Sequence, residues 1–270
     1  MSISQTSGIL TQSSNVLTSL GANQTKINDI QSVLTSGVNK LDPAQQGVVT
    51  RLSSQVSGYT ATQNNIAKAQ NILGVTQSGL KQIASVLSQL QDLANKANDT
   101  ALTSADALKL NKTFEALLKQ IDTLATTSTV DGTGILGATS SDLKIQTGLT
   151  AADSTTLATL ASDTTTLGIN GLDISTISGA SSAIDLLKTA LDSVSTNQSS
   201  VAAYQVALTS VSDNNASITQ GLQNTIDSIQ KPNIQALQMQ LQDANNQQNI
   251  NYYLINQMNQ ESQAVLKIFQ

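Results

Sequence analysis

Histidine and cysteine are both absent from the 270 residues. That removes the commonest general base, the thiolate nucleophile and nearly all zinc geometries. Carboxylates are what remains for acid–base work. Asp122, Asp131, Asp142, Asp153, Asp163 and Asp173 are scattered without a matched partner or an aromatic pocket, and they read as solvated surface groups. One nominal phosphate-cradling pattern occurs, Gly132-Thr133-Gly134-Ile135-Leu136-Gly137, which fits G-x-G-x-x-G. Dinucleotide binding needs a strand before that pattern and a helix after it. Here the order is helix first and strand-like Ser/Thr-rich sequence second, so a β-turn is expected. No catalytic, cofactor-binding or metal-ligating residue is expected from these elements, and the chain does not read as an enzyme.

The elements around these residues are helical. Two prolines punctuate the chain, Pro43 and Pro232, each about forty residues from an end. A residue without an N–H belongs at a helix start or a break, so the chain divides into a long middle and two terminal arms. Four Tyr, two Phe and no Trp make a wide globular core hard to fill. Thin layers of Leu, Ile, Val and Ala between closely packed helices are easier to build. Net charge is −5 with a pI near 4.5 and no basic stripe, which disfavours nucleic-acid binding. No apolar run approaches the roughly 18 residues of a membrane span, so membrane insertion is not expected. Met1 to Thr25 shows no charged n-region or continuous h-region of a cleaved signal.

Heptads give the finer pattern. In the first arm one column holds Ile3, Leu10, Leu17, Gln24, Gln31 and Val38, and the other holds Thr6, Ser13, Leu20, Ile27, Leu34 and Leu41. Apolar residues at 4-3 spacing form the seam of a left-handed coiled coil. After Asp42-Pro43, which resembles a capped helix start, a second stripe runs Leu52, Val56, Tyr59, Gln63, Ile66, Gln70, Leu73, Gln77, Leu80, Ala84, Leu87, Gln91, Ala94. A loop at 98–104 and a shorter helix through Phe114 and Ile121 follow. Between Thr126 and Gly179 the texture turns to Gly, Ser, Thr and Asp, with strands expected at 143–146 and 167–170; this region is expected to face outward and tolerate change. Helix resumes near Ser181. The last arm repeats the seam with Leu237, Leu241, Ala244, Gln248, Asn251, Ile255, Met258, Ser262, Val265 and Phe269. The fold class expected is mainly α: a long antiparallel helical bundle or coiled coil with a small β-hairpin region and terminal helices that pair on assembly.

Several signatures now occur in order. Leu34-Thr35-Ser36-Gly37 is followed by Arg51-Leu52-Ser53-Ser54-Gln55-Val56-Ser57-Gly58, and then by Leu93-Ala94-Asn95-Lys96-Ala97-Asn98. The chain resembles bacterial flagellins, whose L-[ST]-S-G and R-L-[ST]-S-Q-[IV]-x-G patterns map onto Ser36, Gly37, Arg51, Leu52, Gln55 and Gly58, with Leu93 and Ala94 continuing the match. The closing Val265 to Gln270 is similar to the family's final L-S-L-[FL]-R. Two stretches depart from the family. Where it has S-G-x-R-I-N and an acidic cluster, this chain has Val38-Asn39-Lys40-Leu41-Asp42-Pro43. Where it has I-E-D-A-D-Y, this chain has Ile226-Asp227-Ser228-Ile229-Gln230-Lys231-Pro232.

The resemblance implies a compact flagellin without large outer domains, polymerising as an open helical homopolymer into the extracellular filament used for swimming. It implies an inner helical layer from 1–42 with 233–270, and a helical rod over 43–232 with a β region at about 128–179. Self-assembly would run through Ile3, Leu10, Leu17, Leu20, Ile27, Leu34 and Leu41 of one arm. The other arm would contribute Leu237, Leu241, Ala244, Ile255, Met258, Val265 and Phe269. Further partners implied are the flagellar type III export apparatus, a chaperone, the filament cap and the hook-junction proteins. Alternatives are the hook–filament junction protein and, in a different class, a secreted coiled-coil adhesin or translocon component.

Overall fold

The computed structural model describes residues 3–268, with side-chain surroundings for residue 8 and for 11–264. Five helices and one hairpin follow in the order α1 (Ile3–Ser36), α2 (Pro43–Ala97), α3 (Ser104–Thr127), β1 (Leu143–Gln146), β2 (Ser154–Leu157), α4 (Ile177–Gln230) and α5 (Ile234–Ile268). Two compact units result: residues 1–53 with 222–270, and residues 54–221. The boundary falls within α2 and within α4.

Four of the helix boundaries have a local cause. At the end of α1, Gly37 takes φ +66° and its N–H reaches the Val33 carbonyl at 2.9 Å, the left-handed cap that a side chain would strain. The Asp42 carboxylate accepts from the Gln45 N–H at 2.7 Å while Gln45 Oε1 accepts from the Asp42 N–H. This reciprocal box opens α2, with Pro43 at the first turn, where its missing N–H is harmless. Thr103 caps α3 through the Asp106 N–H, and Asn233 caps α5 through the Ala236 N–H.

Within residues 54–221, α2 and α4 run antiparallel, because Thr62 meets Asn215 while Gln70 meets Thr209. The buried face of α2 carries Thr62, Ile66, Ala69, Leu73, Thr76, Leu80, Ile83, Leu87, Leu90, Ala94 and Ala97, an unbroken 4-3 repeat. The column of Ile66, Leu73, Leu80, Leu87 and Ala94 is the one the sequence predicts. Its companion column lies one residue earlier than expected: Ile83 and Leu90 are fully buried, whereas Ala84 and Gln91 are only half-buried. Phe114, Leu118, Ile121 and Ala125 of α3 and Ala180, Ala183, Leu187, Ala190, Val194, Val201 and Leu208 of α4 complete the helical part of the core.

The connection between α3 and α4 corrects two expectations. The 143–146 strand is present and pairs antiparallel with 154–157, Leu143 opposite Leu157. Residues 167–170 are not a strand. The Ile169 N–H returns to the Thr164 carbonyl and Gly168 adopts φ +71°, so the backbone turns on itself. Nor does this region face wholly outward. Ile135, Leu136, Ile145, Leu157, Leu160, Leu167, Ile169 and Ile174 are all buried in the same core as the helices.

A tight approach of α2 to this connection occurs at Gly79. A Cβ there would strike the Ser128 hydroxyl and come within 2.9 Å of a Leu136 methyl, whereas a Cβ on Gly74 meets nothing within 4 Å. Gly79→Ala should therefore destabilise residues 54–221 by about 1–3 kcal/mol through overpacking. Gly74→Ala should stabilise them by about 0.5–1 kcal/mol through helix propensity. Thermal unfolding of the two variants side by side checks the opposite signs.

Candidate assembly surface

In the unit formed by the chain ends, α1 and α5 pack together antiparallel: Asn23 meets Ala244, while Ser19 meets Asn251. The α5 side of this seam is as the sequence predicts. Ala244, Asn251 and Met258 are buried, and Leu237, Leu241, Gln248, Ile255 and Ser262 are half-buried. On α1 the column of Ser13, Leu20, Ile27 and Leu34 lies in the seam, with Ile27 buried. The other column again lies one residue early. Val16, Asn23 and Ile30 face α5, while Leu17 is 56% exposed and Gln24 and Gln31 are exposed.

Leu41 falls beyond the end of α1, half-buried in the linker, and Val38 is exposed there. The side chains of Ile3, Leu10 and Val265, and Phe269 altogether, lie outside the described residues.

The middle of the seam is polar. Asn23, 6% exposed, donates through Nδ2 to the Ala244 carbonyl at 2.6 Å. Small Ala244 is what lets it reach the backbone. Gln248 donates to Gln24 at 2.6 Å, and Asn251 to the Ser19 hydroxyl at 3.4 Å. A polar layer in an apolar seam lowers stability but distinguishes one register from its seven-residue slips.

Two residues further along α5 than each seam position, about 200° round the helix, lies a second stripe that the described residues leave uncovered. Met239, Ile250 and Tyr253 are 63%, 58% and 69% exposed. Sequence reading misses this stripe because Asp243 and Asn246 stand at the 4-3 positions between Met239 and Ile250.

Of the residues carrying the family signatures, Ser36 donates to the Val33 and Val38 carbonyls beside Gly37, and Arg51 is exposed at the surface of α2. Leu52 is buried, Gln55 half-buried, Leu93 half-buried and Ala94 fully buried. Gly58 gives way to Leu149, whose Cδ2 would lie 2.5 Å from an added Cβ.

The glycine motif and the carboxylates serve folding. Val130 and Thr133 exchange both backbone hydrogen bonds across Asp131 and Gly132, at φ 51° and 76°, a two-residue hairpin turn with both centres left-handed. The carboxylates expected to be solvated are mostly ties. Asp122 accepts from the Thr164 N–H and hydroxyl, Asp142 from Thr159, Asp153 from Thr150 and Asp173 from Ser175.

Asp163 is only 6% exposed. Burial pushes its carboxyl up. The Thr166 hydroxyl and N–H, its own backbone N–H and that of Thr165 outweigh this and hold it below the ordinary value of 3.8. A depressed folded value means stability that is present above the unfolded carboxyl range and lost as pH falls through the folded value. Asp163→Asn should therefore cost about 1.5–3 kcal/mol at neutral pH. The difference from the parent protein should shrink in acid, as thermal melts at neutral pH and below the carboxyl range would show.

Comparison with known proteins fits this frame. Residues 9–141 match the bacterial flagellin N-terminal helical region. Flagellins of Escherichia coli O127:H6 and of Shigella flexneri are each 25% identical over 162 residues, covering 56% of this chain and 29% of the relative. A phase 1 flagellin of Salmonella naestved is 23% identical over 162 residues, 32% of its length. The chain thus spans about three-tenths of the length of these curated relatives. The crystal structure of Bacillus cereus flagellin shares the fold, with a TM-score of 0.52 at 24% identity over 56% of this chain and 88% of that one. Through residues 9–141 the chain carries the bacterial flagellin N-terminal helical region, and it shares its helical fold with a solved flagellin.

Proposed function

We propose that this chain is a structural subunit that polymerises into an extracellular bacterial flagellar filament, with the paired terminal helices as its assembly surface. The observation that carries the reading is the uncovered stripe of α5, Met239, Ile250 and Tyr253, together with the exposed Leu17 of α1. Each large apolar side chain removed from water contributes roughly 1.5–3 kcal/mol. A second copy of the same helix pair offers the same stripe, uncharged except for Asp243, and a contact that repeats without closing produces a polymer. Among the described residues no helix is long and apolar enough to cross a membrane. By the same resemblance its other partners are the flagellar export apparatus, an export chaperone, the filament cap and the hook-junction proteins.

The test separates the inner seam from the outer stripe. Tyr253→Asp and Leu17→Asp should leave circular dichroism and melting of the purified monomer unchanged. Each should abolish pelleting after seeding, because every subunit repeats the buried carboxylate. Ile27→Asp, in the seam, should lower the helical signal of the monomer itself. Filaments of normal yield from both outer-stripe variants would overturn the reading; electron microscopy of the pellets shows which outcome holds.

A further inference from the structure

The two places where this sequence departs from the flagellin pattern, at 38–43 and at 226–232, meet in the fold. Asn39 is the point of contact. Its backbone N–H donates to the Gln230 carbonyl at 2.7 Å. Its side-chain Nδ2 donates to the Ile229 carbonyl at 3.1 Å and to the Lys231 carbonyl at 3.3 Å. We propose that Asn39 is a pin that fastens the α1–α2 linker to the end of α4, so that α1 and α5 leave their neighbouring helices as one preset pair. The consequence for polymerisation rests on the filament reading above; the joint itself does not.

The argument begins with Pro232. A continuing helix would give the carbonyls of residues 229, 230 and 231 the N–H groups of residues 233, 234 and 235. Proline lacks an N–H and disfavours helical backbone at Lys231 before it, so α4 stops and those carbonyls lose their partners. They are the three that Asn39 takes. Pro232 creates the orphans and Asn39 satisfies them.

Residue type matters here. The family pattern puts Arg at this position. An amide so close to its own backbone brings the two linkers within direct hydrogen-bond distance, whereas a guanidinium on a long stem would hold them apart. Asn39 has a donor for each side-chain contact and no charge to desolvate at the half-buried site. The two ion pairs nearby are exposed and weak. Lys40 pairs with Asp29 at 3.4 Å and Lys231 with Asp227 at 2.6 Å, both at the surface, where such pairs contribute little. Val38, immediately before the pin, is 49% exposed and serves as the control position.

The experiment uses the full chain in two arms. In the monomer, hydrogen exchange is followed by mass spectrometry for Asn39→Ala, Asn39→Asp and Val38→Ala. Removing the two side-chain hydrogen bonds should speed exchange by about tenfold, and it should do so in 38–42 and 229–233 together. Asn39→Asp should exceed Asn39→Ala because it sets a carboxylate against carbonyl oxygens, and Val38→Ala should match the parent. Unchanged exchange at 229–233 in Asn39→Ala overturns the joint. In the second arm, seeded pelleting should fall in the order parent, Asn39→Ala, Asn39→Asp, while the melting of residues 54–221 stays constant. Loosened linkers with pelleting at the parent level would overturn the positioning role. Failure of the parent itself to pellet would count against the filament reading, and the exchange arm would still decide the joint.

Discussion

A helix of 55 residues cannot be held straight and specific by its own hydrogen bonds; it needs a partner along its length. In α2 and α4 that need is met by a seam of small and aliphatic side chains repeating every seven residues, and the core of residues 54–221 is arranged around it. The scarcity of aromatic residues follows from the same constraint. Helices that pack over Ala69, Ala94, Ala183 and Ala190 approach too closely for large rings. Among the described residues, Phe114 on the shorter α3 is the one aromatic fully buried in that core. The segment between α3 and α4 then acts as filling rather than ornament. Its Ile and Leu residues pack into the same core as the three helices, and its Asp and Thr residues tie the turns that place them. Tyr204 joins the two systems, its hydroxyl accepting the Ala158 N–H just past β2.

Much of this is legible in the amino-acid order, and the failures have a common cause. A heptad has one column that any frame finds, here Ile66, Leu73, Leu80 and Leu87. The second column can be written three or four residues on, and where both choices mix polar and small residues the sequence does not announce which. Ile83 and Leu90 in α2, and Ile30 in α1, are the discriminating residues: each is aliphatic where the competing position is Ala84, Gln91 or Gln31. The strand Ser154–Leu157, which the sequence does not announce, has three hydroxyl residues and one Leu; its identity comes from pairing with β1 rather than from its own propensity. Leu167-Gly168-Ile169-Asn170 alternates like a strand, yet Asp163 collects the N–H groups of Thr165 and Thr166 just upstream and winds the chain into a turn first.

The candidate surface is legible in kind and incomplete in detail. Its first face, toward α1, is periodic and stands out in the sequence. The second face carries Asp243 and Asn246 between its apolar residues and reads as solvated until the helix is seen with one side already covered. The linkers are invisible for a different reason. Their significance lies in a hydrogen-bonded contact between residues 190 apart in sequence, and no local pattern encodes such a meeting.

The antiparallel pairing of α1 with α5 also sets an order of events. Its polar contacts join residues 221 and 232 positions apart, close to the full length of the chain. A ribosome delivers α1 first and its mate last, so the first helix spends nearly the whole of synthesis without the surface it fits. Closing so long a loop in a disordered chain carries a large entropic penalty. Folding of residues 54–221 lowers it, because the Thr62–Asn215 contact brings distant parts of the chain together before the ends must find one another. The pairing of α1 with α5 therefore closes the longest of these loops, and its formation requires that synthesis has passed through α5.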